Sequence, residues 1–202
     1  MEFVKEFAIF LYKNNIIRFG NFTLASGKNS SYYVDLRLIP SYPHQFRKMI
    51  KNLQNLIVEK TGLDDFDCLA SVPTGGLVVT SALAIEIVKP LIYVRSKPKE
   101  HGTTKSIEGK ISAGMKVVMI DDVMTTGTSV LNGINQLKEA GLLVSDLYVI
   151  VNRLEGGDEV LSDIGVQTHQ LTDILEITST LFQEKLINKE IFEKIKNQVG
   201  QN

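Results

Sequence analysis

The chain has 202 residues, 44% hydrophobic and 22% charged, which predicts a single domain over 1–202 with its own core. A net charge of −1 excludes a globally basic nucleic-acid binder, and a single cysteine, Cys68, excludes an intrachain disulfide and a Cys-rich zinc site. No apolar run reaches membrane-spanning length and the N-terminus does not read as a signal peptide, so no membrane association and a cytoplasmic location are expected.

Residues 1–15 read as an amphipathic helix with Phe3, Phe7, Phe10 and Leu11 on one face. Residues 18–37, RFGNFTLASGKNSSYYVDLR, read as short extended pieces broken by a turn at 26–31. Residues 43–60 predict a core helix: Pro43 suits its first turn, Phe46, Met49, Ile50, Leu53, Leu56 and Ile57 form its stripe, and Gly62 stops it. An apolar strand over 68–72 then runs into Pro73, Thr74, Gly75 and Gly76, a small-residue loop opening a helix and hence a candidate anion site.

Leu91–Val94 reads as another buried strand. From Lys89 to Lys110 the chain carries six Lys and Arg against two Glu, a local positive patch with the Gly, Ser and Thr content of a loop that closes. Val117, Val118, Met119 and Ile120 make a further strand. Asp121 and Asp122 follow, then Val123 and Met124, then Thr125, Thr126, Gly127, Thr128 and Ser129, and then a helix with Val130, Leu131, Ile134 and Leu137 on one side. Residues 146–151 form the next strand, ending at Asn152 and Arg153, with a loop over 154–158. A last strand spans 166–171, Thr172 is placed to cap a helix through Leu175, Leu181 and Leu186, and a short helix starts at Asn188. His44 and His169 are isolated and carry no assigned chemistry.

Alternating strands and helices predict an α/β fold with a mainly parallel central sheet flanked by helices. Its most informative stretch is the loop from Thr125 to Ser129. A loop entering a helix N-terminus offers unpaired N–H groups and the positive end of the helix dipole, which together cradle phosphate. Two carboxylates immediately before it repel phosphate, so they face hydroxyls or a metal carried by the ligand. A sugar phosphate meets both demands. Two commoner nucleotide motifs are absent: there is no G-x-G-x-x-G, and Lys105-Ser106 lacks the preceding glycine of a Walker A loop.

The run V-V-M-I-D-D-V-M-T-T-G-T-S at 117–129 resembles, at all thirteen positions, the phosphoribosyl-diphosphate (PRPP) signature of type I phosphoribosyltransferases. The string F-G-x-F-x-L-x-S-G-x-x-S-x-Y-Y-x-D-x-R from Phe19 to Arg37 resembles the orotate phosphoribosyltransferase branch. The resemblance implies the type I phosphoribosyltransferase fold, with residues 18–37 as a small N-terminal hood over the base. It also implies transfer of ribose 5-phosphate from PRPP to orotate, Mg2+ held mainly by PRPP, and a homodimer whose loop residues reach the partner's site. Within it, PRPP falls to Thr74, Gly75, Arg95, Lys99, His101, Asp121, Asp122, Val123, Met124, Thr125, Thr126, Gly127, Thr128 and Ser129. Orotate falls to Tyr33, Thr125 and Arg153, and the catalytic roles to Lys99, His101, Asp121 and Asp122, with 95–110 as the catalytic loop.

Three positions depart from the pattern: Val34 stands in place of the second aromatic of the pair that begins at Tyr33, Ala25 stands where many relatives carry a ligand-reaching lysine, and Ser96 follows Arg95 where a lysine is frequent. Two rival readings stand beside this one. A phosphoribosyltransferase for another base would keep 117–129 but lack the hood string and Arg153. A PRPP-binding regulator without catalysis would need a second basic surface.

Overall fold

The apolar runs expected to be buried strands form the middle of one six-stranded sheet. The computed structural model describes residues 2–23, 27, 29–95 and 106–200. The chain runs α1 (Glu2–Lys13), β1 (Ile17–Thr23), β2 (Asn29–Val34), a 3-10 turn (Leu36–Ser41), α2 (Pro43–Lys60), β3 (Cys68–Ser71), α3 (Gly75–Ile87), β4 (Leu91–Val94) and β5 (Ile107–Glu108). It continues through β6 (Lys116–Met124), α4 (Thr128–Glu139), β7 (Leu143–Asn152), α5 (Gly157–Ser162), β8 (Gln167–Asp173), α6 (Ile174–Gln183) and α7 (Lys189–Val199).

The large sheet has the order β5-β4-β3-β6-β7-β8. All its pairings are parallel except β5 on β4. The central strands are buried because helices cover both faces: Phe7, Leu53, Leu83 and Leu181 pack on one side, and Val130, Ile134, Leu137 and Leu161 on the other. Parallel strands present their C-terminal ends along one edge, so the loops after β3, β6 and β7 gather there.

Several boundaries differ from expectation. The strand read from Val117 to Ile120 continues through both aspartates to Met124, because β7 pairs with it as far as Met124 against Asn152. Residues 154–158 are not wholly loop, since Gly157 opens α5. The cap of α6 is Asp173 rather than Thr172: the Asp173 carboxylate accepts from the Glu176 N–H at 2.8 Å, while Thr172 is buried and donates to Glu176 Oε2. Ile107–Glu108, read as part of the loop, is a strand pairing Val94 with Ile107 and Tyr93 with Glu108. The hood segment is a separate two-stranded antiparallel sheet, β1 with β2.

Candidate active site

Strand register brings the separated site residues together. Because Met124 pairs with Asn152, the next residues, Thr125 and Arg153, leave the sheet side by side, and the Arg153 N–H donates to the Met124 carbonyl at 2.9 Å. Likewise Ser71 pairs with Ile120, so the loop after β3 opens against Asp121 and Asp122.

The loop after β6 lines a cavity of about 130 Å3 bounded by Asp121, Val123, Met124, Thr125, Thr126, Gly127, Thr128 and Ser129. Gly127 stands at the N-cap of α4 with φ of 73°, and no side chain caps the helix, so its first N–H groups remain available to a ligand. The Thr126 and Thr128 hydroxyls lie 2.9 Å apart and add donors at the rim. From below, Gly157 buttresses the loop. A Cβ there would meet the Thr125 carbonyl at 2.7 Å and the Gly127 nitrogen at 3.0 Å. Sequence reasoning did not single out Gly157, since its contact is made across the sheet edge.

The two aspartates touch the second loop. A Cβ on Gly75 would fall 2.0 Å from Asp122 Oδ2, and one on Gly76 would fall 2.5 Å from Asp121 Oδ1. A Cβ at either position would push a carboxylate aside, so the pair Gly75-Gly76 lets backbone stand against both carboxylates. Asp121 accepts from the Asp122 N–H at 3.0 Å. Burial, and secondarily the neighbouring Asp122, push the Asp121 carboxyl well above the usual carboxylate range. A site that crowds two carboxylates invites a cation or hydroxyl donors. Thr74 precedes this contact, exposed at the edge.

Arg153 is the best-tied residue of the site and only 5% exposed. Its Nε donates to Tyr32 Oη at 3.2 Å and its Nη2 to Ser30 Oγ at 3.1 Å. The guanidinium also lies 4.6 Å over the Tyr32 ring and 2.7 Å from Glu155 Oε1, a carboxylate 6% exposed. That contact is an ion pair whose angle falls short of a hydrogen bond. Burial pushes the Tyr32 hydroxyl up to about 12 despite the adjacent cation. The turn carrying Arg153 is held by Asn152, which accepts from the Leu154 N–H at 2.9 Å and donates to Asp158 and Gln170.

Strand alternation separates the two tyrosines of the hood. Tyr32 is buried toward Arg153; Tyr33, on the other face of β2, lies 5.8 Å from the Phe22 ring, 5.1 Å from the Arg18 guanidinium and accepts from Arg37. The site thus groups Arg153 with Ser30, Tyr32 and Glu155, none of which the sequence reading gave a ligand-binding role. Arg95, at the end of β4, donates from Nε to Glu108 Oε1 at 2.6 Å, and its N–H donates to the Ser106 carbonyl, so it sits at the foot of the loop. Lys99 and His101 lie outside the described residues, as do Ala25 and Ser96.

Among known families, the phosphoribosyl transferase domain matches residues 44–184. The orotate phosphoribosyltransferase of Cenarchaeum symbiosum is 45% identical over 195 residues, covering 96% of this chain and 98% of the relative. The crystal structure of orotate phosphoribosyltransferase from Aeropyrum pernix superposes with a TM-score of 0.77 at 32% identity, covering 90% of this chain and 99% of that one. Leishmania donovani UMP synthase superposes with a TM-score of 0.86 at 30% identity, covering 98% of this chain but only 42% of that one. With the loop after β6, an acidic pair and an arginine tied to the hairpin all held in this frame, the chain belongs to the orotate phosphoribosyltransferases, within the phosphoribosyl transferase domain family.

Proposed function

We propose that this chain transfers the ribose 5-phosphate group of PRPP to orotate, giving orotidine 5′-phosphate and diphosphate, the step that commits orotate to UMP. The register that seats Arg153 beside Thr125 carries the reading. It sets a buried guanidinium, suited to grip a planar carboxylate, next to a phosphate loop. Its relatives' names supply the base.

In this mechanism the α4 N-terminus, with Thr125, Thr126, Gly127, Thr128 and Ser129, holds the 5′-phosphate. Asp121 and Asp122 accept from the ribose hydroxyls, and their charge favours positive character at C1 as the C1–O bond breaks. The electron pair leaves with diphosphate, which meets the N–H groups of the loop at Thr74 and Gly75. N1 of orotate, its proton lost to solvent, forms the new C1–N bond on the opposite face while Arg153 and Thr125 orient the base. Lys99 and His101 close over the diphosphate together with Arg95, and one of them donates a proton to it.

Two carboxylates at one edge fit Mg2+, which is held by one or two carboxylates plus substrate phosphates. When bound, it supplies charge neutralisation at the diphosphate oxygens.

We further propose a homodimer and a cytoplasmic location. α3 is mostly apolar, yet Ile85 on it and Val88 at its C-cap are 81% and 87% exposed, beside an apolar hollow lined by Ala84, Pro90 and Leu91. A second copy of this chain is the occupant of that face, and it would set the base of the loop beyond β4 near the partner. No helix among the described residues is long and apolar enough to cross a membrane.

The function is tested by following orotate absorbance with PRPP and Mg2+, with a purine base in parallel. Orotate loss matched by diphosphate release is expected. Consumption of the purine alone would contradict the roles given to the hood and Arg153.

A further inference from the structure

We infer that helix α7 belongs to the base-recognition apparatus and that Gln198 is a positioning residue for Arg153. This rests on the assignment of Arg153 to the base.

A two-stranded hairpin is at best marginally stable alone, and β1-β2 shares no ladder with the six-stranded sheet. Its stance over the site must come from side-chain ties. Beside the contacts of Arg153, helix α7 supplies such ties from one face, at positions four residues apart. Lys194 Nζ donates to Asn21 Oδ1 on β1 at 2.8 Å. Gln198 binds β2 twice: its Oε1 accepts from the Ser31 N–H at 2.8 Å, and its Nε2 donates to Ser30 Oγ at 3.3 Å.

Ser30 Oγ is the same atom that accepts from Arg153 Nη2, and it gives its own proton to the Tyr32 carbonyl at 2.8 Å. One buried oxygen therefore accepts from both Gln198 and Arg153 and fixes them relative to each other. The chain of contacts runs from α7 through Ser30 to the guanidinium that grips the base.

Helix α7 is itself anchored to the body of the protein as well as to the hairpin. Asn188 caps α7 by accepting from the Ile191 N–H at 2.9 Å, Ile195 is fully buried, and the Phe192 ring stacks on Phe182 at 5.1 Å. Helix α7 packs against α6 and β2, away from the phosphate loop. Loss of the Gln198 carboxamide should therefore loosen the base half of the site and spare the PRPP half.

The test is Gln198→Ala, with Lys196→Ala, an exposed position on the same helix, as control. The KM for orotate should rise about three- to tenfold, the effect of one or two lost hydrogen bonds, with the KM for PRPP unchanged. Amide exchange at Ser31 should quicken. Lys196→Ala should change none of these. In a double-mutant cycle, Ser30→Ala and Gln198→Ala should be less than additive in orotate KM. An unchanged orotate KM overturns the inference, and so does an equal rise in both KM values, which marks general loosening. If Gln198→Ala does not accumulate folded, Gln198→Glu keeps the acceptor for Ser31 and removes the donor to Ser30, and the same readouts apply. A wild-type chain that ignores orotate contradicts the proposed function instead. Exchange at Ser31 then still decides whether Gln198 positions the hairpin.

Discussion

Gly75→Ala tests the contact between the two loops. The added Cβ would stand 2.0 Å from Asp122 Oδ2, 2.5 Å from its Cγ and 2.7 Å from its Oδ1. Ordinary contact needs about 3.4 Å, so the carboxylate must move by more than an ångström. It lies at the end of a side chain on a half-buried edge, so it can turn away at little cost in stability. Function has no such freedom: a misplacement of about 1 Å in a positioned group costs on the order of 100-fold. The expected result is a kcat/KM lower by about 100-fold with a melting temperature within a few degrees of wild type. Steady-state kinetics and a thermal melt read both. Asp122→Ala in the Gly75→Ala background should add little, because the carboxylate is already displaced. Near-wild-type turnover by Gly75→Ala would refute the role given to Asp122.

Arg153→Ala removes the cation from a buried pair and strands Glu155, which should cost about 3–5 kcal/mol of stability and abolish orotate selectivity. Urea unfolding checks the first, and Glu155→Gln in the same chain should recover part of the loss. Asp121, raised by burial and by Asp122, holds a proton in the folded chain that the unfolded chain releases at pH values above 3.8. Stability of the ligand-free chain therefore falls as pH rises from there to the raised value, and Asp121→Asn should melt higher at neutral pH while turning over far less. Lys99→Ala should lower turnover much more than it weakens orotate binding; equal losses would argue against a transition-state role. Ile85→Asp should convert a dimer to a monomer in sedimentation, and a wild-type chain that sediments as a monomer would refute the dimer.

Local patterns were legible where the physics is local. The stripe and Pro43 placed α2 at its observed bounds, and four apolar residues placed β4. The loop after β6 was readable as a strand-to-helix turn because strand, acidic pair, glycine and helix are contiguous. The boundaries that shifted depend on partners far along the chain. β6 reaches Met124 only because β7 pairs with it, and β5 is two residues held by β4. The ties on Arg153 come from residues 121 and 123 positions away, and Gln198 reaches Ser30 across 168. No periodicity signals such pairs. The adjacent tyrosines illustrate the limit: alternation says that one faces in, and only the hairpin's seating on Arg153 makes it Tyr32.

The most direct test of the central claim is base selectivity. Orotate and uracil, which lacks the carboxylate, would be offered separately with PRPP and Mg2+, and kcat/KM compared. The account predicts a strong preference for orotate that collapses in Arg153→Met. Equal use of both bases, or a preference untouched by Arg153→Met, would contradict it.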